Sequence, residues 1–245
     1  MERIFIGDVH GCIKTLKALI EKINPSKEDK VRFIGDLIDR GPGSKQVLDF
    51  IISKQLQGYF WESVLGNHEA MLLEWEHTPD SPKRWDTFNW WMSNGGNRTI
   101  ESFGGIIGDD YISWLKNLPQ YIIEEDIILV HAGLDFVWGD PIKRMVDDVA
   151  LNMEKSNPYE YSNRSHLWIR DYHVRPDVMM GKILITGHTT HVIGDIMHHH
   201  EYHIKLDNGC FKDLPEFNSY PGTGMLVAYN LDKGEFITQI CIDGE

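Results

Sequence analysis

The chain has 245 residues, 42% of them hydrophobic and 25% charged, which fits one large α/β domain of ordinary globular composition. Its formal net charge of −13 argues against a general nucleic-acid-binding protein, because such proteins need a basic face to replace the counterions of phosphates. The sequence shows neither the ~18 uninterrupted apolar residues of a membrane span nor a signal-peptide pattern, so a cytoplasmic protein without membrane contact is expected.

The first third of the chain alternates predicted strands and helices. Apolar runs predict strands over residues 2–7, 31–34 and 59–65. Apolar residues at helical spacing predict helices over residues 12–23 and 44–56, the second with Ser44 as its N-cap. A polar motif follows each strand, at the end where open α/β sheets place their ligands.

The rest of the chain divides into a helical and a strand-rich part. Residues 69–118 are mostly helical in pattern and rich in tryptophan, which predicts a helical cap over roughly 70–125. The spacing of its tryptophans indicates mainly a cap core, with stacking on a substrate as the lesser alternative; they are Trp75, Trp85, Trp90, Trp91 and Trp114. After a strand over 127–130, residues 136–180 are the least regular stretch and are interpreted as a second insertion. From residue 183 the pattern predicts strands only, over 183–187, 202–206, 225–231 and 236–242. The prediction is a single α/β domain over 1–245, a two-sheet sandwich flanked by helices.

Five short polar motifs end apolar runs along the chain. They are Gly-Asp-Val-His-Gly at 7–11, Gly-Asp-Leu-Ile-Asp-Arg-Gly at 35–41, Gly-Asn-His-Glu at 66–69, Val-His-Ala-Gly at 130–133 and Thr-Gly-His-Thr at 186–189. Each motif alone is common in turns. Together they offer two metal pockets of histidine and carboxylate, and an arginine for phosphate.

The ligand types in these motifs predict a centre of two metal ions. Asp8 and His10 stand two residues apart at a strand end, so their side chains point the same way and can hold one ion. Asp36 can bridge to a second ion. The side chains predicted to complete the second ion's ligands are Asn67, His131 and His188. Mixed oxygen and nitrogen ligands suit manganese, iron or zinc better than calcium, and manganese is the expected metal.

The same motifs supply groups for phosphate chemistry. Two metals about 3.5–4 Å apart can activate a bridging hydroxide for in-line attack on a phosphoryl group. His68 is the candidate acid for the leaving oxygen, and Asp39 is the candidate partner that orients it. Arg40 can hold phosphate through its planar guanidinium group.

These motifs resemble those of the calcineurin-like metallophosphoesterases, and within them the short bacterial and phage-type form of the PPP serine/threonine phosphatases. The resemblance implies a four-layer sandwich of two mixed β-sheets flanked by helices, with a helical cap. It implies the ligand set given above and a two-metal phosphatase of phosphomonoesters, foremost of phosphoserine and phosphothreonine in proteins. The expected partner is therefore a phosphorylated protein or peptide, or a small phosphate. The resemblance also makes Arg170, after Leu167 and Trp168, a second phosphate-binding arginine, although Asp171 stands where the family often has glycine. Asn94, in a Trp-Met-Ser-Asn-Gly-Gly segment, is a candidate substrate contact.

Other functions remain as alternatives. A symmetrical diadenosine tetraphosphate hydrolase has the same kind of site, but those relatives usually carry Asp at the position of Glu69 and often lack an acid at that of Asp39. Gly-Pro-Gly-Ser at 41–44 occurs in that group too. A non-catalytic scaffold would have lost a ligand or His68, and a nuclease is disfavoured by the acidic charge. The sequence leaves the oligomeric state open.

The other residues that could bind metals are interpreted structurally. Cys12, Cys210 and Cys241 are odd in number and widely spaced, which argues against disulfides and against a cysteine zinc site. The histidine run 198–200 with His203 is interpreted as a solvated hairpin tip.

Overall fold

The computed structural model describes residues 1–137, 139–160, 165–170, 173–197 and 201–244. Its strands form two sheets. The first contains β1 (Arg3–Ile6), β2 (Lys30–Phe33), β3 (Phe60–Ser63), β8 (Met225–Asn230) and β9 (Glu235–Ile240); the second contains β4 (Tyr121–Ile123), β5 (Ile127–Val130), β6 (Ile183–Thr186) and β7 (His203–Lys205). The orders are β3-β2-β1-β8-β9 and β4-β5-β6-β7.

Both sheets are mixed. Strands β1, β2 and β3 are parallel, whereas β8 and β9 add in antiparallel fashion; β5, β6 and β7 are parallel and β4 is antiparallel. The sheets face each other through a buried apolar layer to which both contribute, including Phe5 and Val227 from the first sheet and Leu129 and Ile185 from the second. Burial on both faces explains why these strands read as continuous apolar runs.

Helices flank the two sheets. They are α1 (Ile13–Ile23), α2 (Ser44–Leu56), α3 (Asn67–His77), α4 (Pro82–Trp91), α5 (Asn97–Ser102), α6 (Asp109–Lys116), α7 (Pro141–Met153), α8 (Ser165–Trp168) and α9 (Ile193–Met197). The largest core cluster packs α1, α2 and α3 on the first sheet, and α7 packs on the second through Ile142 and Met145. The predicted α/β sandwich of two mixed sheets flanked by helices is confirmed. Among the described residues, no helix has the length and apolarity needed to cross a membrane.

Several local predictions are wrong. Residues 136–180, predicted to be irregular, contain the 13-residue helix α7, which Asp140 caps by accepting from the backbone N–H groups of Ile142 and Lys143 at 3.0 and 3.1 Å. Helix α9 interrupts the half predicted to be strands only. The N-cap of α2 is Gly43, because the Ser44 hydroxyl instead accepts from a backbone N–H of the preceding loop.

Some predictions for the histidines and tryptophans are confirmed and others are wrong. Residues 198–200 lie outside the described residues, but His203 is buried in β7, where its Nε2 and the Thr186 hydroxyl share a hydrogen bond of 2.9 Å, so it is not part of a solvated tip. In the cap, Trp91 is buried as predicted for a core residue. Trp85 and Trp90 are 65% and 45% exposed, so a core role for them is wrong.

Candidate metal centre

The motif residues meet at one edge of the two sheets. Asp8, Asp36 and Asn67 follow β1, β2 and β3, and His131 and His188 follow β5 and β6. Parallel strands end at the same edge of a sheet, so motifs that are far apart along the chain come together there.

Asp36 lies between two buried groups of ligand-type side chains. One group is His10, Asp36 and His68 and the other is Asp36, His131 and His188; within each, the ligand atoms lie within 4.8 Å of one another. Asp36 Oδ2 is 3.5 Å from His10 Nε2 and 3.9 Å from His68 Nε2. Asp36 Oδ1 is 3.3 Å from His131 Nε2. Each carboxylate oxygen therefore faces a different group, which is the arrangement that a ligand shared by two cations requires.

Asn67 belongs with the second group. Its Oδ1 accepts hydrogen bonds of 2.8 Å from His131 Nε2 and from His188 Nδ1. The Nδ1 atoms of His10 and His131 donate to backbone carbonyls at 3.0 and 2.7 Å. These bonds fix both rings and leave their Nε2 atoms directed at Asp36, as metal-binding histidines require.

Asp8 lies beside these groups. Its Oδ2 accepts from the backbone N–H of His188 at 3.0 Å. Among the described residues, five buried side-chain nitrogen or oxygen atoms lack a hydrogen-bond partner, and three belong to this site: Asp8 Oδ1, His68 Nε2 and His188 Nε2. Buried polar atoms without a partner are rare and costly. Their concentration here, with carboxylate, imidazole and amide donors, fits two divalent transition-metal ions.

Burial and mutual charge govern the titration of these ligands. Burial raises the pKa of the Asp8 carboxyl well above its usual value and lowers that of His10 well below. Burial and then the charge of His131 lower the pKa of His188 to about 2. Burial opposes protonation of His131, but the Asp36 carboxylate raises its pKa to about 9. Burial thus favours the neutral form of His10 and His188 that a metal ligand requires, whereas Asp36 favours the protonated form of His131, whose proton a bound cation would displace.

The loops of the site hold left-handed backbone. The site residues with positive φ are His10 (46°), Asp36 (50°), Asp39 (70°), Arg40 (65°) and His188 (66°), and the described residues include only two further non-glycine examples. Each such residue costs on the order of 1–3 kcal/mol and persists only where its surroundings impose it, and such strain clusters at functional sites.

Glu69 holds the loop that carries Asp36 in place, a role that its motif did not indicate. Its buried carboxylate accepts from four backbone N–H groups, those of Asp36 (2.9 Å), Leu37 (2.7 Å), Ile38 (3.2 Å) and Gly66 (3.0 Å). Burial raises its pKa to about 7, and the four donors favour the ionised form. Glu69 therefore fixes the position of Asp36 without lying among the ligand groups.

The predicted acid pair is assembled in a buried network. His68 Nδ1 donates to Asp39 Oδ2 at 2.7 Å. Asp39 also accepts from the Trp91 indole N–H at 3.0 Å and the Thr99 hydroxyl at 2.5 Å, and its own backbone N–H donates to the Ser44 hydroxyl. Asp39 thus orients His68 so that Nε2 faces Asp36. Trp91 opens the Trp-Met-Ser-Asn-Gly-Gly segment, but its bond to Asp39 was not predicted, and Thr99 had no signal in the sequence.

Arg40 is held from three sides. Its Nη1 donates to His10 Nε2 at 2.9 Å, and its guanidinium group lies 4.3 Å above the centre of the Phe211 ring. Its backbone N–H donates to the Gly95 carbonyl, and a Cβ atom at Gly95 would lie 2.9 Å from that nitrogen. Gly95 also has φ of 99°, so this close approach requires glycine.

Replacing Arg40 by alanine is expected to weaken inhibition by inorganic phosphate roughly tenfold or more, since a hydrogen bond to a charged group contributes about 1.5–3 kcal/mol. The inhibition constant is to be measured with the manganese-loaded protein. Arg98→Ala, which removes an arginine paired with Glu101 in the same cap, is the control and should leave that constant unchanged. Equal constants for Arg40→Ala and wild type would remove Arg40 from phosphate binding.

The remaining predicted residues lie at the rim. Arg170 is exposed, and its Nη1 donates to the His188 carbonyl at 3.2 Å; Asp171 lies outside the described residues. Asn94 donates to the Trp90 carbonyl at 2.8 Å, a contact within the helical segment rather than towards Asp36. Asp207, which is not among the predicted site residues, is buried and accepts from the backbone N–H of Gly209 at 2.6 Å and from the Thr190 hydroxyl at 3.0 Å.

Comparison with known proteins identifies the family of the chain. Residues 1–209 match the profile of the calcineurin-like phosphoesterases. The chain belongs to this family. Its two buried groups of histidine and aspartate are consistent with the binuclear metal site that is typical of the family.

Curated relatives of this calcineurin-like phosphoesterase include bacterial dinucleotide hydrolases. The symmetrical bis(5'-nucleosyl)-tetraphosphatase of Marinomonas sp. (strain MWYL1) is 31% identical over 180 residues, which is 70% of this chain and 60% of the relative. The protein of the same name from Ectopseudomonas mendocina (strain ymp) is 30% identical over 181 residues, 69% of this chain and 60% of the relative. The chain thus spans less than two thirds of the length of these relatives.

Solved structures share the fold. A proposed diadenosine tetraphosphatase covers 97% of this chain and 92% of its own length with a TM-score of 0.58 and 23% identity. A protein serine/threonine phosphatase from Saccharomyces cerevisiae covers 99% and 80% with a TM-score of 0.62 and 14% identity. At such identities the likeness shows the fold alone.

Proposed function

We propose that this phosphoesterase hydrolyses the polyphosphate chain of dinucleoside tetraphosphates to two nucleoside diphosphates, using two divalent metal ions. The observation that carries the choice of substrate is the 31% identity over 180 residues to a symmetrical bis(5'-nucleosyl)-tetraphosphatase. This reverses the order of preference given by the motifs, which favoured phosphoserine and phosphothreonine.

The chain's own residues have defined parts in this reaction. The proposed ligands are Asp8, His10, Asp36, Asn67, His131 and His188. When bound, two divalent cations supply a nucleophile at neutral pH and neutralise charge on the phosphoryl group. Arg40 holds phosphoryl oxygens, and Arg170 adds a second positive charge at the rim. His68, oriented by Asp39, gives a proton to the leaving oxygen.

A line of aromatic rings supports a substrate with a flat base. The Trp168 ring lies 6.0 Å from that of His188, and the Trp90 ring lies 6.1 Å from that of Trp168. Trp90 is 45% exposed, so the line runs from the candidate metal centre to the surface. Aromatic side chains accept nucleobases by stacking, whatever the base. We therefore propose Trp90 as the platform for one adenine.

Replacing Trp90 by alanine is expected to raise KM for diadenosine tetraphosphate roughly tenfold, since stacking of a base is worth about 1–3 kcal/mol. KM for p-nitrophenyl phosphate, which has no base, should change little. Trp85→Ala removes an even more exposed tryptophan that packs on Phe88 in the same cap, so it is the matched control. A rise of KM for both substrates, or an equal rise in both variants, would contradict base stacking at Trp90.

A second candidate is the hydrolysis of phosphoserine or phosphothreonine in proteins. The specific observation in its favour is the buried pair of His68 and Asp39, joined by 2.7 Å. A serine or threonine alkoxide needs a proton to leave, whereas a nucleoside diphosphate leaves readily as an anion. A positioned acid therefore helps a phosphomonoesterase more than an anhydride hydrolase.

The two candidate functions are distinguished by comparing the turnover of their two substrates under the same conditions. The manganese-loaded protein is given diadenosine tetraphosphate or a phosphothreonine peptide, with His68→Ala as the blank. Production of two diphosphates with little peptide turnover supports the proposed function. Faster, His68-dependent phosphate release from the peptide supports the second candidate. Turnover of neither substrate by metal-loaded protein would exclude both.

A further inference from the structure

The three cysteines of the chain meet in the core, although Cys12 and Cys210 lie 198 positions apart along the chain. The sulfur atoms of Cys12, Cys210 and Cys241 all lie within 4.8 Å of one another, and all three side chains are buried. Their wide spacing along the chain predicted no metal site, but that spacing says nothing about distances in the folded protein. The fold brings them together from three separate segments.

We propose that Cys12, Cys210 and Cys241 form a three-thiolate site for a thiophilic cation such as zinc or cadmium. A zinc–sulfur bond is about 2.3 Å long, so three sulfurs around one ion stand roughly 4 Å apart. The sulfurs, which lie within 4.8 Å of one another, are therefore close to that geometry. Soft thiolate ligands distinguish this site from the oxygen and nitrogen donors around Asp36.

The segments that carry the cysteines are fixed in position. Cys12 is the N-cap residue of α1, Cys210 begins a 3-10 turn over Cys210–Asp213, and Cys241 follows β9 with its backbone N–H donating to Gly224. An ion held by all three would join the start of α1, the turn after β7 and the C-terminal segment. The sulfurs are therefore presented by a built frame rather than by mobile loops.

The C-terminal segment is also bound directly to α1. Asp243 accepts from the backbone N–H groups of Lys14 and Thr15 at 2.9 and 3.0 Å and from the Thr15 hydroxyl at 2.6 Å. The backbone N–H of Ile242 donates to the Thr15 hydroxyl at 2.9 Å. These bonds hold Cys241 beside Cys12. The positive end of the α1 dipole also favours the net negative charge of a three-thiolate site.

The site lies directly behind the candidate metal centre. The Cys12 thiol donates to the His10 carbonyl at 3.5 Å, and Cys210 precedes Phe211, whose ring packs on His10 with centroids 4.9 Å apart. The two sites share no side chain. Occupation of the thiol site can therefore be measured separately from occupation of the candidate metal centre, and its proof does not depend on the proposed substrate.

The test is a cadmium titration of the reduced, manganese-loaded full chain, read by the ultraviolet charge-transfer absorbance of cadmium bound to thiolate. Carboxylate and imidazole ligands give no such band, so only sulfur is reported. The expected result is a linear rise to a plateau at one equivalent. Absence of the band, or a plateau only at a large excess of cadmium, would overturn the proposal.

A variant and a second measurement sharpen the test. Cys241→Ser, at the least buried of the three positions, should lower the plateau by about one third and weaken binding roughly tenfold or more, because one of three ligands is lost. An unchanged band would overturn the proposal. Should this variant fail to fold, cadmium NMR of the wild-type chain decides: a resonance in the range of three sulfur ligands is expected, and a signal from oxygen and nitrogen ligands alone would contradict the site.

Discussion

Substitution of Asp36 by asparagine is expected to remove metal from both halves of the candidate centre and to lower turnover by roughly a thousandfold or more, because metal ions supply several kcal/mol of transition-state stabilisation. The two carboxylate oxygens of Asp36 face different groups, one towards His10 at 3.5 Å and the other towards His131 at 3.3 Å. An amide keeps one oxygen and turns an N–H group towards the other ion. Loss of the negative charge also removes the attraction that both cations share.

Metal content measured by plasma emission, alongside turnover, checks this prediction. The control is Asp29→Asn, which neutralises a buried carboxylate that accepts from the backbone N–H groups of Glu2 and Ser26, at the other end of the sheet. That variant should bind metal as the wild type does. If Asp36→Asn kept its full metal content, Asp36 would not be the ligand shared by the two ions.

The fold was predictable where the information is local. The helix over residues 44–56 was predicted with the bounds that the structure has, and strand β5 likewise, because apolar periodicity along a short segment reports which face is buried. Helix α7 was predictable in principle, because its sequence is amphipathic and buries Ile142 and Met145. Asp140 followed by Pro141 is also a helix start signal, which the prediction of an irregular stretch overlooked.

The candidate site was predictable where a motif carries the chemistry. The structure brings His10, Asp36, Asn67, His131 and His188 to one edge, as the strand-end positions of their motifs indicated. What could not be predicted depends on contacts between distant segments. Thr99 reaches Asp39 across 60 positions, and the cysteine cluster joins both ends of the chain. No local pattern marks either contact.

Glu69 shows how a motif can suggest more than it determines. Glutamate at this position counted against a dinucleotide hydrolase, because those relatives usually have aspartate. In the structure Glu69 accepts from the backbone N–H groups of Asp36, Leu37, Ile38 and Gly66. This role concerns the shape of the loop and is the same for either substrate. Glu69 therefore gives no physical argument against a dinucleotide substrate.

Replacing His68 by alanine is expected to lower turnover of a phosphothreonine peptide by about 10²–10⁴-fold, the usual contribution of a positioned general acid, while metal content stays near that of the wild type. Its Nδ1 is bound to Asp39 at 2.7 Å and its Nε2 has no hydrogen-bond partner, so the ring can pass a proton on the side facing Asp36. Asp39→Asn should lower turnover in the same direction but less, since the ring remains and only its orientation and charge stabilisation are weakened.

The leaving group makes this prediction specific. p-Nitrophenolate leaves as a stable anion, so its phosphate ester should lose much less activity in His68→Ala than the peptide, whose alkoxide needs the proton. His77→Ala is the control: it removes another histidine of α3, one whose Nδ1 donates to the Leu73 carbonyl at 2.9 Å, and should leave both rates unchanged. If the variant lost equal activity with both substrates, His68 would act as a metal ligand or phosphate contact. His68 lies in one buried group with His10 and Asp36, and its function would then be to bind metal or phosphate there, because such a contact affects every leaving group alike.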